Sequence, residues 1–145
     1  MSPSFFPNLD TRWISNGKER ILLDSYGYTG STSWIIPVLE IDGKRLGFVT
    51  DGGTIPRFAW SLVGHPFSDL FPAFVGHDHR FSYGGLSFND TQDELYEACI
   101  ALGASKIRAF SIYHACKSPI GKLIWNKAGE HRCDDSYPVS YTHLT

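Results

Sequence analysis

Two Asx-Gly dipeptides divide the first third of the chain into segments of strand length. The segments that flank Asn16-Gly17 are Thr11–Ser15 and Lys18–Asp24, and those that flank Asp42-Gly43 are Trp34–Ile41 and Lys44–Val49. Both residues of such a dipeptide tolerate the positive φ that a type I′ turn requires. The sequence therefore predicts two antiparallel hairpins. Pro37 predicts an edge strand or a bulge within the second hairpin, and the stretch Tyr26–Ser31 between the hairpins predicts a loop.

The second half of the chain has helical spacing, with Thr54 or Ile55 near the start of the first apolar stretch, Ser or Asn before the others, and Gly or Pro after each. The predicted helices are Pro56–Val63, one from Ser68 to Tyr83 with Pro72 in its first turns, one from Ser87 or Asn89 to Gly103, and one from Ser105 to about Lys117. A small antiparallel sheet of two hairpins followed by a bundle of about three helices is an α+β arrangement. A chain of 145 residues suits one domain, which we assign to residues 1–138.

The composition excludes several classes of function. A net charge of −2 and a pI near 6.3 provide no basic surface for nucleic acid or for an anionic membrane. No apolar run reaches transmembrane length, and the N-terminus lacks the basic and apolar regions of a signal peptide. The three cysteines form no CxxC pair. Cys99 and Cys116 fall in predicted helices, where we expect them to be small core residues of a protein in a reducing compartment.

The last seven residues, Val139–Thr145, resemble a translated sequencing-library adapter of the kind that is read through in metagenomic gene predictions. Under this interpretation the native sequence continued beyond about Pro138, and residues 139–145 are not native. His143 is therefore left out of every candidate site.

The pair His77-Asp78 is the most informative feature for function, because it lies within an apolar helical pattern. The helical stripe that contains His77 consists of Leu70, Ala73, Phe74, His77 and Phe81. An inward-facing Asp needs a partner, since burial of an isolated carboxylate is costly. Asp93 shares a face of the next predicted helix with Tyr96 and Ile100, so two antiparallel helices should bring Asp93 across from His77. Converging ionisable groups are typical of functional sites, although a buried polar network that joins two helices has the same pattern.

The segment between the two halves is a second candidate region. Asp51-Gly52-Gly53 follows a predicted strand, and its glycines would let the backbone approach a ligand or simply form a turn. Arg57 is a candidate to bind an anionic group, or else it forms an ordinary ion pair on the surface. His79 either extends the His77 site or faces solvent, and His114, which shares a face with Ile107 and Phe110, is predicted to be a core histidine.

Three segments in this order resemble a known family. They are Asp51-Gly52-Gly53-Thr54-Ile55-Pro56-Arg57, then His77-Asp78-His79-Arg80-Phe81, then Asp93-Glu94-Leu95-Tyr96 with Ala101-Leu102-Gly103. Together they resemble domain-of-unknown-function family 1353, which is found largely in phages and prophages, over roughly Val49–Lys117. The chain differs from the family pattern at His79 and Phe81, where the family has Tyr, and at Gln92, where it has Ala. The resemblance implies a phage-type protein, located in the cytoplasm of the host cell or in the virion, with no established activity.

The His-Asp pair on one helix and an Asp on its partner are also similar to the core of phospholipase A2 enzymes. This resemblance implies that His77 is the general base, that Asp93 orients it, and that Asp78 binds Ca²⁺ together with Asp51, Gly52 and Gly53. Ca²⁺ takes carboxylate and carbonyl oxygens and can polarise an ester carbonyl. The chain departs from the secreted enzymes of that group at Phe81 and in lacking their disulfides and export signal.

Two hypotheses follow. The first is a small hydrolase, dependent on Ca²⁺ and acting on a lipid or another ester, with His77 and Asp93 as catalytic residues. In this hypothesis Asp78, Asp51, Gly52 and Gly53 hold the metal, and Arg57 and His79 bind substrate. The second hypothesis is a non-enzymatic module, associated with the virion or with a host partner. In this hypothesis the polar triad of His77, Asp78 and Asp93 is structural. An open pocket that reaches His77 favours the first, and a site closed to solvent favours the second.

Overall fold

The computed structural model describes residues 3–6, 9–14, 19–50, 69–129 and 141–143. In this part of the chain strands come first and helices follow, which confirms the predicted α+β class. The elements are β1 (Ser4–Phe6), β2 (Thr11–Trp13), β3 (Arg20–Leu22), β4 (Tyr26–Thr29), β5 (Ser33–Ile36), β6 (Leu39–Ile41), β7 (Lys44–Thr50), α1 (Phe71–Tyr83), α2 (Phe88–Ala101), α3 (Lys106–Lys117), α4 (Pro119–Gly129) and β8 (Tyr141–His143). The predicted helix Pro56–Val63 lies outside the described residues.

Both predicted hairpins are confirmed. β2 and β3 are antiparallel, with Arg12 opposite Ile21, and the turn that would contain Asn16-Gly17 lies outside the described residues. β6 and β7 are antiparallel around Asp42-Gly43. Asp42 has φ 53° and Gly43 has φ 76°, as the two central residues of a type I′ turn require.

The predicted loop at Tyr26–Ser31 is wrong, because most of it forms β4. This strand pairs with β5, with Tyr28 opposite Trp34, and with β1 on its other edge. The alternation Tyr26-Gly27-Tyr28 is a strand pattern in which the ring of Phe6 packs over the glycine. A Cβ at Gly27 would lie 2.9 Å from Phe6 Cζ. Burial of Tyr26 and Tyr28 favours the strand and outweighs the preference of the glycine for turns.

The predicted strand Trp34–Ile41 is divided into β5 and β6, which belong to different sheets. The exposed Pro37 lies between them, where its missing N–H and fixed φ favour a break. One sheet has the order β1-β4-β5, and the other has the order β2-β3-β7-β6 with β8 also paired to β7. The pairing of β8 with β7 is made by backbone atoms, which residues of either origin would supply. It therefore does not test the adapter origin of residues 139–145, which stays a prediction.

The helix caps are largely as predicted. The side chain of Ser87 accepts a hydrogen bond from Asp90 N, and that of Ser105 accepts one from Arg108 N, each at 3.1 Å. Gly103, with φ 94°, follows the end of α2. The start of α1 differs from the prediction, because its N-cap is Leu70 rather than Ser68 and no side chain caps it. Pro119, which we expected only to end α3, also begins a fourth helix, as Pro at a first helical position can.

The core lies where the helices meet the two sheets. Its largest fully buried side chains are Tyr28, Phe48, Phe74, Phe81, Ile21, Leu22, Ile36, Leu46, Leu70, Ile112 and Gln92. Helix α1 approaches β5 so closely that a Cβ at Gly76 would overlap the ring of Trp34. Cys99 and Cys116 are buried thiols, as predicted. None of the helices in the described part of the chain has the length and apolar character needed to span a membrane.

Candidate functional site

His77 is buried between α1 and α2, with 3% of its surface exposed. Its Nε2 lies 2.8 Å from Oε1 of Gln92, and its ring packs 4.6 Å from the ring of Phe81. Burial lowers the pKa of His77 to about 4, although the hydrogen bond to Gln92 acts in the opposite direction. The imidazole is therefore neutral at pH 7.

Asp93 does not lie across from His77, so that prediction is wrong. Its side chain is exposed, and Oδ1 accepts a hydrogen bond from Tyr113 Oη on α3 at 2.9 Å. Successive helical residues are turned by about 100°. When Gln92 points from α2 to α1, Asp93 therefore points towards α3. The predicted face of Asp93, Tyr96 and Ile100 exists, but it lies against α3 rather than against His77.

Asp78 of α1 is half-buried and lies against the end of β7. Its Oδ2 accepts a hydrogen bond from Thr50 Oγ1 at 2.7 Å, and Thr50 is the last residue of that strand. The other predicted metal ligands, Asp51, Gly52 and Gly53, and the predicted anion ligand Arg57 lie outside the described residues. Among the residues that the structure describes, no three His, Cys, Asp or Glu side chains are grouped as a metal site requires.

The two other histidines of the helices have different surroundings. The half-buried ring of His79 lies 5.3 Å from that of Phe48 and 4.8 Å from that of Tyr83. Burial, and then the charge of Arg80, lowers the pKa of His79 to about 4. Its predicted role in substrate binding stays a prediction. His114 is exposed rather than in the core, and it packs on the edge of Phe110, also exposed.

A buried ion pair, which sequence reasoning missed, joins α1 to α2. Arg80 Nε and Nη2 donate to the two carboxylate oxygens of Glu94, each at 3.0 Å. Nη2 also donates to the carbonyl of Ser33 at 2.8 Å, and Thr32 Oγ1 donates to Glu94. Gly85 makes room for this arginine, since a Cβ there would lie 2.6 Å from Nη1. Burial of both charges is tolerated because each has its partners.

Glu97, one turn after Glu94, binds the turn between β4 and β5. It accepts hydrogen bonds from Tyr28 Oη, from Ser31 N at 3.0 Å and from Ser31 Oγ at 2.5 Å. Although burial opposes it, these bonds lower the pKa of Glu97. Glu94 and Glu97 lie on one side of α2, and both hold the same turn. The spacing of the two glutamates and the run Ser31-Thr32-Ser33 were the sequence signals for this network.

Gln92 has an unusual environment for an amide. It is fully buried, and its Oε1 is the partner of His77 Nε2. Its Nε2 has no hydrogen-bond partner among the described residues. The hydrogen bond through Oε1 fixes the position of His77. Because Nε2 makes no such bond among the described residues, part of the cost of removing the amide from water is not compensated.

An open groove of about 640 Å³ lies between α2 and α3. Asp93 lines this groove, whereas His77 and Asp78 do not. Its lining residues are Pro3, Asp93, Tyr96, Glu97, Ile100, Ala101, Phe110 and Tyr113. The rings of Tyr96 and Tyr113 meet edge to face at 5.9 Å. Phe110 in the lining is 55% exposed, and Ile107, which lies one turn before it on α3, is 82% exposed. The groove is therefore an apolar surface with carboxylates along one part of it.

The family comparison matches residues 22–116 to the model described as protein of unknown function (DUF1353). This match spans more than half of the chain and includes strands β4 to β7 and helices α1 and α2. The chain belongs to the DUF1353 family. The His77-Asp78 helix, the Asp93 helix and most of α3 of this DUF1353 protein all lie within the matched region. Neither the curated proteins nor the solved structures include a match to it.

Proposed function

We propose that this DUF1353 protein is an interaction module that binds through the groove between α2 and α3. The observation that carries this proposal is the contrast between two places. His77 is closed to solvent, whereas the apolar groove is open. Following the family resemblance, we propose a virion protein or a host protein as the class of partner.

The surroundings of His77 support a structural role. A general base must come within hydrogen-bond reach of a water or of a substrate proton. His77 is directed at an amide and packed against Phe81, in a site with 3% exposure. Its partner Gln92 carries no charge that would stabilise the imidazolium formed on proton transfer. The polar residues of α1 are thus suited to holding the helices and sheets together.

The groove has the properties of a binding surface. Its volume lies within the range of about 300–1,000 Å³ that is usual for ligand sites. Contiguous exposed apolar side chains are disfavoured on a monomeric surface unless they are covered by a partner. Phe110 and Ile107 remain exposed although α3 has buried positions, such as Ala109 and Ile112, for its core contacts.

Binding of Nile red, a neutral apolar dye, tests this proposal. Phe110→Glu should reduce the fluorescence enhancement of the dye by several-fold, because it places a charge in the groove. Leu123→Glu is the matched control, since Leu123 is an exposed apolar residue of α4 (67%) that does not line the groove. Equal dye binding by both variants and by the unmodified chain would contradict a binding role for the groove.

A second candidate function is the Ca²⁺-dependent hydrolase, and the contact between Thr50 and Asp78 favours it. This contact holds the carboxylate of Asp78 at the point where the chain continues into Asp51-Gly52-Gly53. Asp78 offers one hard oxygen ligand, while Ca²⁺ takes six to eight oxygens. The remaining ligands would come from Asp51 and the carbonyls of Gly52 and Gly53. A bound Ca²⁺ would polarise the carbonyl of a lipid or other ester beside His77, with Arg57 and His79 binding the substrate.

A melting curve with and without millimolar Ca²⁺ tests the second candidate. A ligand at about 100 times its Kd stabilises the folded state by about 2.7 kcal/mol. The hydrolase proposal expects a Ca²⁺-dependent rise in Tm that is lost in Asp78→Asn, together with ester hydrolysis that is lost in His77→Ala. No rise in Tm, combined with a strong destabilisation by Asp78→Asn alone, would contradict it.

A further inference from the structure

We infer that helix α4 is a docking surface for a bilayer that contains anionic lipids. This inference goes beyond the proposed function, because it names a different surface and a different class of partner from the groove between α2 and α3. The observations that carry it are the exposed apolar side chains of α4, the distribution of charge along α3 and α4, and the packing of α4 on the core.

The packing of α4 fixes which of its sides faces outward. Trp125 packs edge to face on Phe81 of α1, at 4.9 Å between ring centroids, and on Phe88 of α2, at 5.7 Å. Gly121 lies so close to the end of α3 that a Cβ there would overlap the backbone of Cys116. Gly121 and Trp125 are one helical turn apart, so both belong to the inner side of α4. The opposite side is therefore directed away from the core.

The outward side of α4 combines apolar side chains with ammonium groups. Ile120 is 50% exposed and Leu123 is 67% exposed, and residues three apart lie on one side of a helix. The exposed Lys127 follows Leu123 by one turn, and the exposed Lys122 lies beside Leu123. This is the pattern of an interfacial helix, in which apolar side chains enter the acyl boundary and lysine stems reach back to the headgroups.

The helices α3 and α4 carry cations without carboxylates of their own. From residue 106 to residue 129 the chain contains no Asp or Glu, and its charged side chains are Lys106, Arg108, Lys117, Lys122 and Lys127. The net charge of −2 for the whole chain predicted no basic surface for an anionic membrane. The uneven distribution of the charges corrects that expectation for this part of the chain.

Carboxylates of other elements compensate part of the charge of α3. Arg108 is engaged by Asp69, with two bonds of 3.1 Å. Lys117 donates to Tyr113 Oη at 2.9 Å, and Tyr113 in turn donates to Asp93. These contacts weaken the attraction of α3 for an anionic surface, so we assign the docking surface to α4.

The lysines of α4 are not compensated in this way. Lys122 Nζ lies 4.5 Å from the ring centroid of Phe88, and contact with an aromatic face leaves an ammonium charged. Neither Lys122 nor Lys127 forms an ion pair with another residue that the structure describes. Their charges, together with Ile120 and Leu123, complement the negative headgroups and the apolar interior of a bilayer. A nucleic acid would match the lysines but not the two apolar side chains.

Co-sedimentation of the full 145-residue chain with lipid vesicles tests the inference. One set of vesicles contains phosphatidylcholine alone, and the other contains equal parts of phosphatidylcholine and phosphatidylglycerol. We expect binding to the mixed vesicles that weakens steeply with added salt, and little binding to phosphatidylcholine alone, because the attraction depends on the anionic headgroups.

Two variants of α4, each with a matched control, test the surface itself. Leu123→Glu places a charge in the apolar part and Lys127→Glu reverses a charge beside it, so each should weaken binding to the mixed vesicles by about tenfold. The controls are Ile35→Glu, at an apolar residue of β5 that is 61% exposed, and Lys44→Glu, at an exposed lysine of β7. Both controls should bind like the unmodified chain, and the Tm of every variant establishes that it is folded.

Each outcome supports or overturns the docking surface. Weaker binding by both α4 variants, with unchanged binding by both controls, supports it. Absence of binding to the mixed vesicles overturns it, and so does equal binding to both kinds of vesicle. Binding that either α4 variant leaves unchanged, or that the controls weaken as much as the α4 variants, overturns it as well. The Nile red test of Phe110→Glu addresses the groove separately, so the two proposals can fail independently.

Discussion

Gln92, and not Asp93, lies opposite His77, with 2.8 Å between Gln92 Oε1 and His77 Nε2. A one-residue difference on α2 separates two chemistries. A carboxylate in this position would stabilise the charged imidazole, whereas the hydrogen bond of an uncharged amide does not offset the burial that keeps His77 neutral. Asp93 instead belongs to the groove, where it bonds Tyr113. The same helix therefore has one face that holds the core and another that is available to a partner.

Removal of the amide of Gln92 should destabilise the protein. Gln92→Leu leaves the Nε2 of His77 without this partner in a buried site, which costs about 1–3 kcal/mol. The double variant His77→Leu/Gln92→Leu should be less destabilised than the sum of the two single variants, since both polar groups are then gone. Urea unfolding of the four proteins measures this coupling, and strict additivity would show that the contact is unimportant.

The buried ion pair between Arg80 and Glu94 should contribute far more to the free energy of unfolding than the exposed pair between Arg108 and Asp69. Glu94→Gln leaves the buried guanidinium without its counter-charge and should cost about 3–5 kcal/mol. Asp69→Asn, the control at an exposed pair, should cost at most about 1 kcal/mol. Chemical denaturation of both variants provides the comparison, and similar losses would contradict the burial of the Arg80–Glu94 pair.

The pH dependence of stability follows from the lowered pKa of His77. Above its unfolded pKa of 6.5 the imidazole is neutral in both states and contributes no pH dependence. As the pH falls from 6.5 to about 4, the unfolded chain binds a proton that the folded chain does not. Stability should therefore fall over this window, by about 3 kcal/mol for a shift of this size, and level off below it. His79, with a pKa also lowered to about 4, adds in the same direction.

Unfolding free energies measured at pH 7 and pH 5 check this prediction. His77→Gln should flatten the slope between these values, even though it lowers stability at both. An unaltered slope in His77→Gln would mean that the folded protein protonates His77 as readily as the unfolded chain.

The close packing of α1 on β5 predicts a large effect of a small substitution. Gly76→Ala should destabilise the protein by about 1–3 kcal/mol, because the added methyl group overlaps the ring of Trp34. In a Trp34→Leu background the same substitution should be much less harmful, since the ring is absent and Ala favours a helix over Gly by about 1 kcal/mol. Thermal unfolding of the two pairs of proteins distinguishes these cases, and equal losses in both backgrounds would contradict the contact.

Local signals in the sequence were sufficient for much of the fold. Ser87 and Ser105 cap their helices through their own hydroxyls, and Asp42-Gly43 forms its turn through its own φ angles, so no distant contact is needed. Strand β4 could not be inferred in this way, because the burial of Tyr26 and Tyr28 depends on rings from Phe5 and Trp34, which are distant in sequence or in another strand.

The site illustrates the same limit. Periodicity identified the face of Asp93, Tyr96 and Ile100, but not which neighbouring helix covers that face. A rotation of α2 by one residue decides whether Gln92 or Asp93 meets His77. His114 was misplaced for the same reason, since its apolar stripe with Ile107 and Phe110 is exposed. Apolar periodicity predicts a face that prefers burial, and it does not distinguish a core contact from a surface that awaits a partner.

The accessibility of His77 is the most direct test of its structural role, and carbethoxylation at neutral pH with peptide mass spectrometry measures it. Neutral imidazole is the reactive form, so a lowered pKa leaves His77 reactive wherever reagent can reach it. We predict that the exposed His114 is modified rapidly, whereas His77 reacts at least about tenfold more slowly until the protein is unfolded. Modification of His77 at a rate similar to that of His114 would contradict the closed site and favour the hydrolase.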